Sequence, residues 1–152
     1  MITRQVDDLH HLVDEFSSFA RMPAPKLNST NITRVIVDYI NPIMHSFENV
    51  SFEVDDIIDR ALVMADEKQI RQACGNLIKN SYENITMNNI QKGKICICFN
   101  ADEKFITISI IDNGTGIANS NISKILEPYY TTKKNGSGLG LANRASRPAP
   151  ER

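Results

Sequence analysis

No sign of charge predominates in this sequence: 17 basic residues stand against 18 acidic ones, for a formal net charge of -1. Such a chain produces no field that would by itself gather nucleic acid or an anionic membrane surface, so neither is expected as a partner. Long apolar runs are lacking too. A stretch such as Ala61-Leu62-Val63-Met64-Ala65 falls far below the roughly 18 residues that a bilayer-spanning helix needs. The opening Met1-Ile2-Thr3-Arg4-Gln5-Val6-Asp7-Asp8 turns acidic where a secretory leader would continue into an apolar run. A cytoplasmic location without membrane contact is therefore expected. Cysteine is scarce, and its count of three is odd. Cys96 and Cys98 sit two apart, so one strand would point both the same way; they imply no disulfide framework and read as buried reduced thiols rather than a metal site. What is present, 41% hydrophobic and 23% charged residues over 152 positions, suffices for the core of one ordinary domain, or of a small domain with an appended element.

Val6, Leu9, Val13, Phe16 and Ala20 alternate at spacings of three and four, which predicts an amphipathic helix ended by Pro23 and Pro25. A linker is expected from there to about Asn31. A second helix is expected from Ile32 to about Phe47, kinked or split at Pro42. Val50–Val54 alternates as a half-buried strand does, and Ala61–Ala65 reads as a more buried one. Asp66 followed by Gln69 is a capping-box signature. It opens a helix whose buried face should comprise Ile70, Ala73, Cys74, Leu77, Ile78 and Ser81, with Asn76, Asn80 and Glu83 together on the adjoining flank. Lys94–Phe99 and Phe105–Ile111 alternate at period two around Asn100–Lys104, and predict an antiparallel hairpin.

Five of the seven glycines follow, at Gly114, Gly116, Gly136, Gly138 and Gly140. Asp112-Asn113-Gly114-Thr115-Gly116-Ile117, at a strand end, can be a plain turn. It can equally place the Asp112 carboxylate to accept a hydrogen bond from an exocyclic amine while the glycines let a flat base come close. Gly136-Ser137-Gly138-Leu139-Gly140-Leu141-Ala142 reads as a loop entering a helix, whose amides are directed at anions; it is neither a Walker loop nor a Rossmann turn. In Glu127-Pro128-Tyr129-Tyr130-Thr131-Thr132-Lys133-Lys134 the two lysines fit a solvated surface pair or charge neutralisation at a terminal phosphoryl group.

In their order along the chain, Asn76–Ser81, Asp112–Ile117, Glu127–Lys133 and Gly136–Ala142 resemble the N, G1, F and G2 boxes of the ATP-binding domain of bacterial sensor histidine kinases. The segment Leu12-Val13-Asp14-Glu15-Phe16-Ser17-Ser18-Phe19-Ala20-Arg21-Met22-Pro23 is similar to the end of the second dimerisation helix in the NtrY-like nitrogen-regulation branch. The resemblance covers about Val6 to Ala142. It implies an α/β fold, a two-layer sandwich of the Bergerat type with a mixed sheet, helices on one face and ATP between them, preceded by one dimerisation helix. Residues 1–25 would be the rear of the helical hairpin, 26–142 the catalytic domain and 143–152 an atypical, disordered tail.

The resemblance also implies roles. Asn80 corresponds to the Mg²⁺-ligating asparagine, with Asn76 beside it; Mg²⁺ keeps several waters, so few protein ligands suffice. Asp112 corresponds to the adenine reader, Gly114 and Gly116 to the turn beneath the base, and Gly136, Gly138, Leu139 and Gly140 to the hinge and phosphate cradle. Thr131, Thr132 and Lys133 belong to a lid over the triphosphate, Asn80 and Lys133 being the catalytic pair. The function implied is transfer of the ATP γ-phosphate to a histidine outside this chain, with a histidine-bearing domain and a response regulator as partners and self-association through residues 6–22.

The phosphoacceptor context of the family, a histidine followed by an acidic residue and a proline, does not occur at His10, His11 or His45. After Ala142 the sequence Asn143–Arg152 departs into arginine and proline, which is expected to leave the domain short of a helix and a strand. A second reading is thus a catalytically dead remnant of a split kinase gene, acting as a dimerisation or regulatory fragment. A third is another kinase of the same fold, such as an anti-sigma serine kinase, against which the NtrY-like helix argues.

Overall fold

Asn31 ends a strand and starts a helix, and both depend on its side chain. Its Oδ1 accepts from the Arg34 backbone N–H at 3.2 Å, which caps the helix; its Nδ2 donates to the Asp59 carbonyl at 3.0 Å. The computed structural model describes residues 24–125 together with Glu127, Tyr130 and Thr131. These divide between two units, Pro25–Gly116 and one to which Ala24 and the residues from Ile117 onward belong. The predicted helix over residues 6–20 and the tail 143–152 lie outside the described residues.

In the first unit, β1 (Asn28–Asn31) is followed by α1 (Ile32–Ile43) and a short 3-10 turn, Met44–Ser46. Pro42 does not split the helix. It stands one residue from the end, where its missing N–H costs a single bond, and the chain tightens into the 3-10 turn just beyond. Then come β2 (Val50–Asp55), β3 (Leu62–Ala65), α2 (Glu67–Met87), β4 (Gly93–Ala101) and β5 (Ile106–Asp112). The order β2-β4-β5 makes a mixed sheet, parallel between β2 and β4 and antiparallel between β4 and β5. A separate antiparallel ribbon joins β1 to β3.

Two expectations need correction here. The linker expected up to Asn31 ends in β1, which pairs along its whole length with β3. Asn-Ser-Thr-Asn carries no apolar alternation to announce a strand, and its pairing is reinforced by the Thr30 hydroxyl donating to the Ala65 carbonyl at 3.1 Å. The stretch Ala61–Ala65, in turn, is not a buried strand. Ala61 is buried, but Leu62 and Met64 are 59% and 64% exposed, because a two-stranded ribbon offers no second layer to cover its outer face.

The core is built where the helices lie on one face of the mixed sheet. Ile32, Ile36 and Ile40 of α1, Cys74, Ile78 and Ile85 of α2, and Ile95, Ile97 and Phe99 of β4 form one buried cluster. Spacings of four on α1, of four and seven on α2 and of two on β4 are those that bring such residues to a single face. Ala73, assigned by the sequence to the buried face of α2, is exposed, whereas Ile85, one turn beyond the assigned stripe, is buried. At about 100° per residue Ala73 falls with Asn80 and Asn84 on the neighbouring flank. On β4 the inward residues alternate with Lys94, Cys96, Cys98 and Asn100 on the open face. Cys96 and Cys98 are therefore half-buried rather than buried, while Cys74 sits in the core, where burial pushes its thiol up to about 11.

Candidate functional site

Helix α2 starts as the capping box predicts. The Asp66 carboxylate accepts from the backbone N–H groups of Lys68 and Gln69 at 2.9 and 3.3 Å, and its second oxygen from that of Lys26 at 2.8 Å. These three donors, Lys26 and Gln69 foremost, hold its carboxyl below the usual value of 3.8. So anchored, α2 presents Asn76, Asn80 and Asn84 at spacings of four, all half-buried on one flank beside the apolar stripe.

Strand β5 delivers Asp112 to the same flank. Asp112 Oδ1 accepts from the Gly114 N–H at 3.0 Å and from Asn84 Nδ2 at 3.3 Å. Thr115 Oγ1 donates to Asn84 Oδ1 at 3.2 Å, and Asn88 Nδ2 to the same oxygen at 3.0 Å. Asn113 ties the turn to the start of β4: its Oδ1 accepts from the Lys94 N–H at 2.8 Å and its Nδ2 donates to the Lys92 carbonyl at 2.7 Å. A Cβ at Gly114 would press on the Asn84 amide and on Asp112 Oδ1, so a larger residue there would have to displace this clamp. Gly116 adopts φ +72°, which L side chains rarely do. Among the described residues every hydrogen bond to Asp112 arrives at Oδ1, and none at Oδ2.

Sequence reasoning thus brought Asp112, Gly114 and Gly116 to one turn but missed Asn84, the side chain that clamps the turn to α2. Its signal was available one step beyond Asn76 and Asn80 on the same flank. Asn76 also borders a second feature: with Tyr39, Phe47, Gln72, Gly75 and Lys79 it lines an open groove of about 480 Å³ along α1 and α2. Thr131 is exposed. Thr132, Lys133, Gly136, Gly138, Leu139 and Gly140 lie outside the described residues, as do His10 and His11.

Asp112 is thus clamped at a strand end beside an asparagine-bearing helix, and comparison with known proteins decides the family of the chain. The profile of the family described as histidine kinase-, DNA gyrase B-, and HSP90-like ATPase matches residues 65–146, more than half of the chain. The chain belongs to this ATPase family. Among curated relatives, the nitrogen regulation protein NtrY of Azorhizobium caulinodans is 36% identical over 144 residues, covering 93% of the chain and 18% of the relative. The putative sensor histidine kinase NtrY-like of Rickettsia felis is 34% identical over 142 residues, covering 93% and 23%. The chain therefore spans about a quarter or less of the length of these relatives. Among solved structures, the catalytic domain of histidine kinase ThkA in a nucleotide-free form has a TM-score of 0.65 at 27% identity, covering 78% of this chain and 76% of that one. ThkA in complex with the response regulator protein TrrA has a TM-score of 0.70 at 22% identity, covering 86% and 39%. The α/β sandwich described above is thus the Bergerat fold of histidine-kinase catalytic domains within this ATPase family.

Proposed function

We propose that this chain is the ATP-binding catalytic portion of a sensor histidine kinase and passes the γ-phosphoryl group of ATP to a histidine outside it. The observation that carries this reading is the state of Asp112. Two donors fix Oδ1 in place, and Oδ2 is left to accept from the exocyclic amine of adenine. Adenine would rest on the Gly114–Gly116 turn, where a missing β-carbon already permits close approach. Asn80, with Asn76 one turn earlier, offers amide oxygens, the hard donors that Mg²⁺ accepts alongside phosphate and water. When bound, Mg²⁺ would offset the negative charge of the phosphates. Thr131, Thr132 and Lys133 would close over the triphosphate, with Gly136, Gly138, Leu139 and Gly140 as its hinge and cradle.

The reaction asks little covalent work of the protein. The bond from the γ-phosphorus to the β,γ-bridging oxygen breaks, a bond to an imidazole nitrogen forms, and ADP leaves; positioning and charge neutralisation supply the acceleration. In this reading residues 1–25 belong to the helical hairpin, residues 6–22 mediate self-association, and the phosphorylated histidine hands its phosphoryl group to a response regulator. The test is titration with a fluorescent ATP analogue in the presence of Mg²⁺. The wild-type chain should saturate; Asp112→Ala and Asn80→Ala should remove binding while far-ultraviolet circular dichroism stays unchanged. A folded wild-type chain that binds no nucleotide would favour the dead-remnant reading instead.

A further inference from the structure

The open face of the mixed sheet carries a second group of ligand-type side chains, away from Asp112 and Asn80 in the sequence and used by no step above. Cys96 and Cys98 are consecutive outward residues of β4, and the parallel register sets Asp55 of β2 directly opposite Cys98. The two sulfurs are 3.3 Å apart, and Cys96 Sγ lies 3.3 Å from Asp55 Oδ2. All three ligand atoms fall within 4.8 Å of one another. Residues two apart on a strand point the same way, and the parallel register brings the carboxylate of Asp55 beside both thiols.

We propose that Cys96, Cys98 and Asp55 form a binding site for a borderline-soft divalent cation of the Zn²⁺ class. Two thiolates and one carboxylate are the donor set that such a cation prefers over Mg²⁺ or Ca²⁺. A tetrahedral centre with sulfur about 2.3 Å away places its two sulfurs about 3.8 Å apart, so the thiols need to part by about 0.5 Å. On a half-buried, solvent-facing position that is a small rotamer adjustment, and the fourth position is left to water.

Metal binding must expel the thiol protons. Lys94, the preceding outward residue of β4, is paired at 2.7 Å with Glu53 of β2, which is opposite Cys96 in register. The pair brings no net charge to the site. From β5 the facing positions are Ile111 and Ser109, which bring no charge. Bridging β2 to β4, the ion would staple the parallel pair of the sheet and stabilise the folded state by mass action.

The experiment is titration of the full reduced chain with Cd²⁺ and with Zn²⁺, in excess Mg²⁺ so that hard-donor sites are filled. Cd²⁺ should bring a thiolate-to-metal charge-transfer absorption at one equivalent, and Zn²⁺ should displace it and raise the melting temperature. Affinity should rise steeply with pH, as the loss of two thiol protons requires. Cys96→Ser and Cys98→Ser should each abolish the band, and Asp55→Asn should weaken binding about tenfold or more. In the wild-type chain, Zn²⁺ should slow alkylation of Cys96 and Cys98 at least tenfold, read peptide by peptide, without altering the buried Cys74. The alkylation result does not depend on any variant folding. Absence of the band, its persistence in the Cys96→Ser, Cys98→Ser double variant, a stoichiometry of one ion per two chains, or unprotected thiols would each overturn the proposal.

Discussion

Thr33 and Asp112 are both polar side chains beside apolar structure, and they differ in what meets them. The Thr33 hydroxyl is buried in the first turn of α1 and has no hydrogen-bond partner among the described residues. Leaving a buried hydroxyl unpaired costs roughly 1 to 3 kcal/mol, whereas an apolar group of the same shape carries no such cost. Thr33→Val should therefore stabilise the fold by about 1 kcal/mol, measured as a higher urea midpoint at unchanged slope. A lower midpoint would mean that the hydroxyl has a partner in solution. Asp112 shows the opposite accounting, with one oxygen doubly satisfied by Gly114 and Asn84 and the other, in the proposed reading, accepting from adenine. Residue types alone do not separate these two cases. Asn113-Gly114 is a turn signal in any chain, and only the contact with Asn84, 28 positions away from Asp112, makes it part of a site. For that reason Asp112 stood out in the sequence as a candidate, whereas Asn84, one turn beyond Asn80 on the same flank, was passed over.

At the scale of elements, the sequence was most readable where local chemistry decides. Asp66 and Gln69 announced the start of α2 because capping is a contact over three residues. Its end is just as local. The Ile90 N–H donates to the Ile85 carbonyl and the Asn89 N–H to that of Thr86, both at 3.1 Å, with Asn89 at φ 52°, which is the Schellman arrangement. Glycine reaches that backbone region without steric cost, so Asn89→Gly should stabilise by about 0.5 kcal/mol, and Asn89→Val should destabilise by about 1 kcal/mol or more. Paired thermal melts measure both. At the other end, the folded Asp66 carboxyl titrates below 3.8 because backbone donors stabilise its charged form. Its contribution is then complete above the unfolded value and is lost as pH falls through the lower folded value. Asp66→Asn keeps a capping oxygen without the titration, so its stability should fall less steeply than the wild type's between about pH 5 and about pH 2. Parallel acid limbs would contradict this. The β1–β3 ribbon was misread for the complementary reason: its partners lie some 30 residues apart, and burial of Ala61 but not Leu62 depends on which layer covers the ribbon, a tertiary fact that alternation does not encode.

Across the whole molecule, the fold class was legible because the ordered boxes beginning at Asn76 and Asp112 fall on α2 and at the end of β5, two elements that Asn84 and Asp112 join. The mixed sheet, with helices on one face, is the scaffold that makes them meet. In the proposed reading, recognition of ATP and delivery of its phosphoryl group are separable on this scaffold. Binding would use Asp112, the Gly114–Gly116 turn and Asn80. Transfer also needs an imidazole nitrogen held in line with the γ-phosphorus, since proximity and alignment carry most of the acceleration when the protein forms no bond itself. His10, His11 and His45 lack the acidic-then-proline context of an acceptor. With labelled ATP and Mg²⁺, the chain alone should accumulate no acid-labile phosphate. Adding a separate helical hairpin from an NtrY-like kinase, bearing its histidine, should restore transfer to that hairpin, and Asn80→Ala should remove it again. Label on the chain's own histidines would overturn their assignment as non-acceptors. Nucleotide binding without transfer, even with the hairpin supplied, would show that this chain recognises ATP through the Asp112 turn but does not hold the γ-phosphoryl group where an incoming imidazole can reach it.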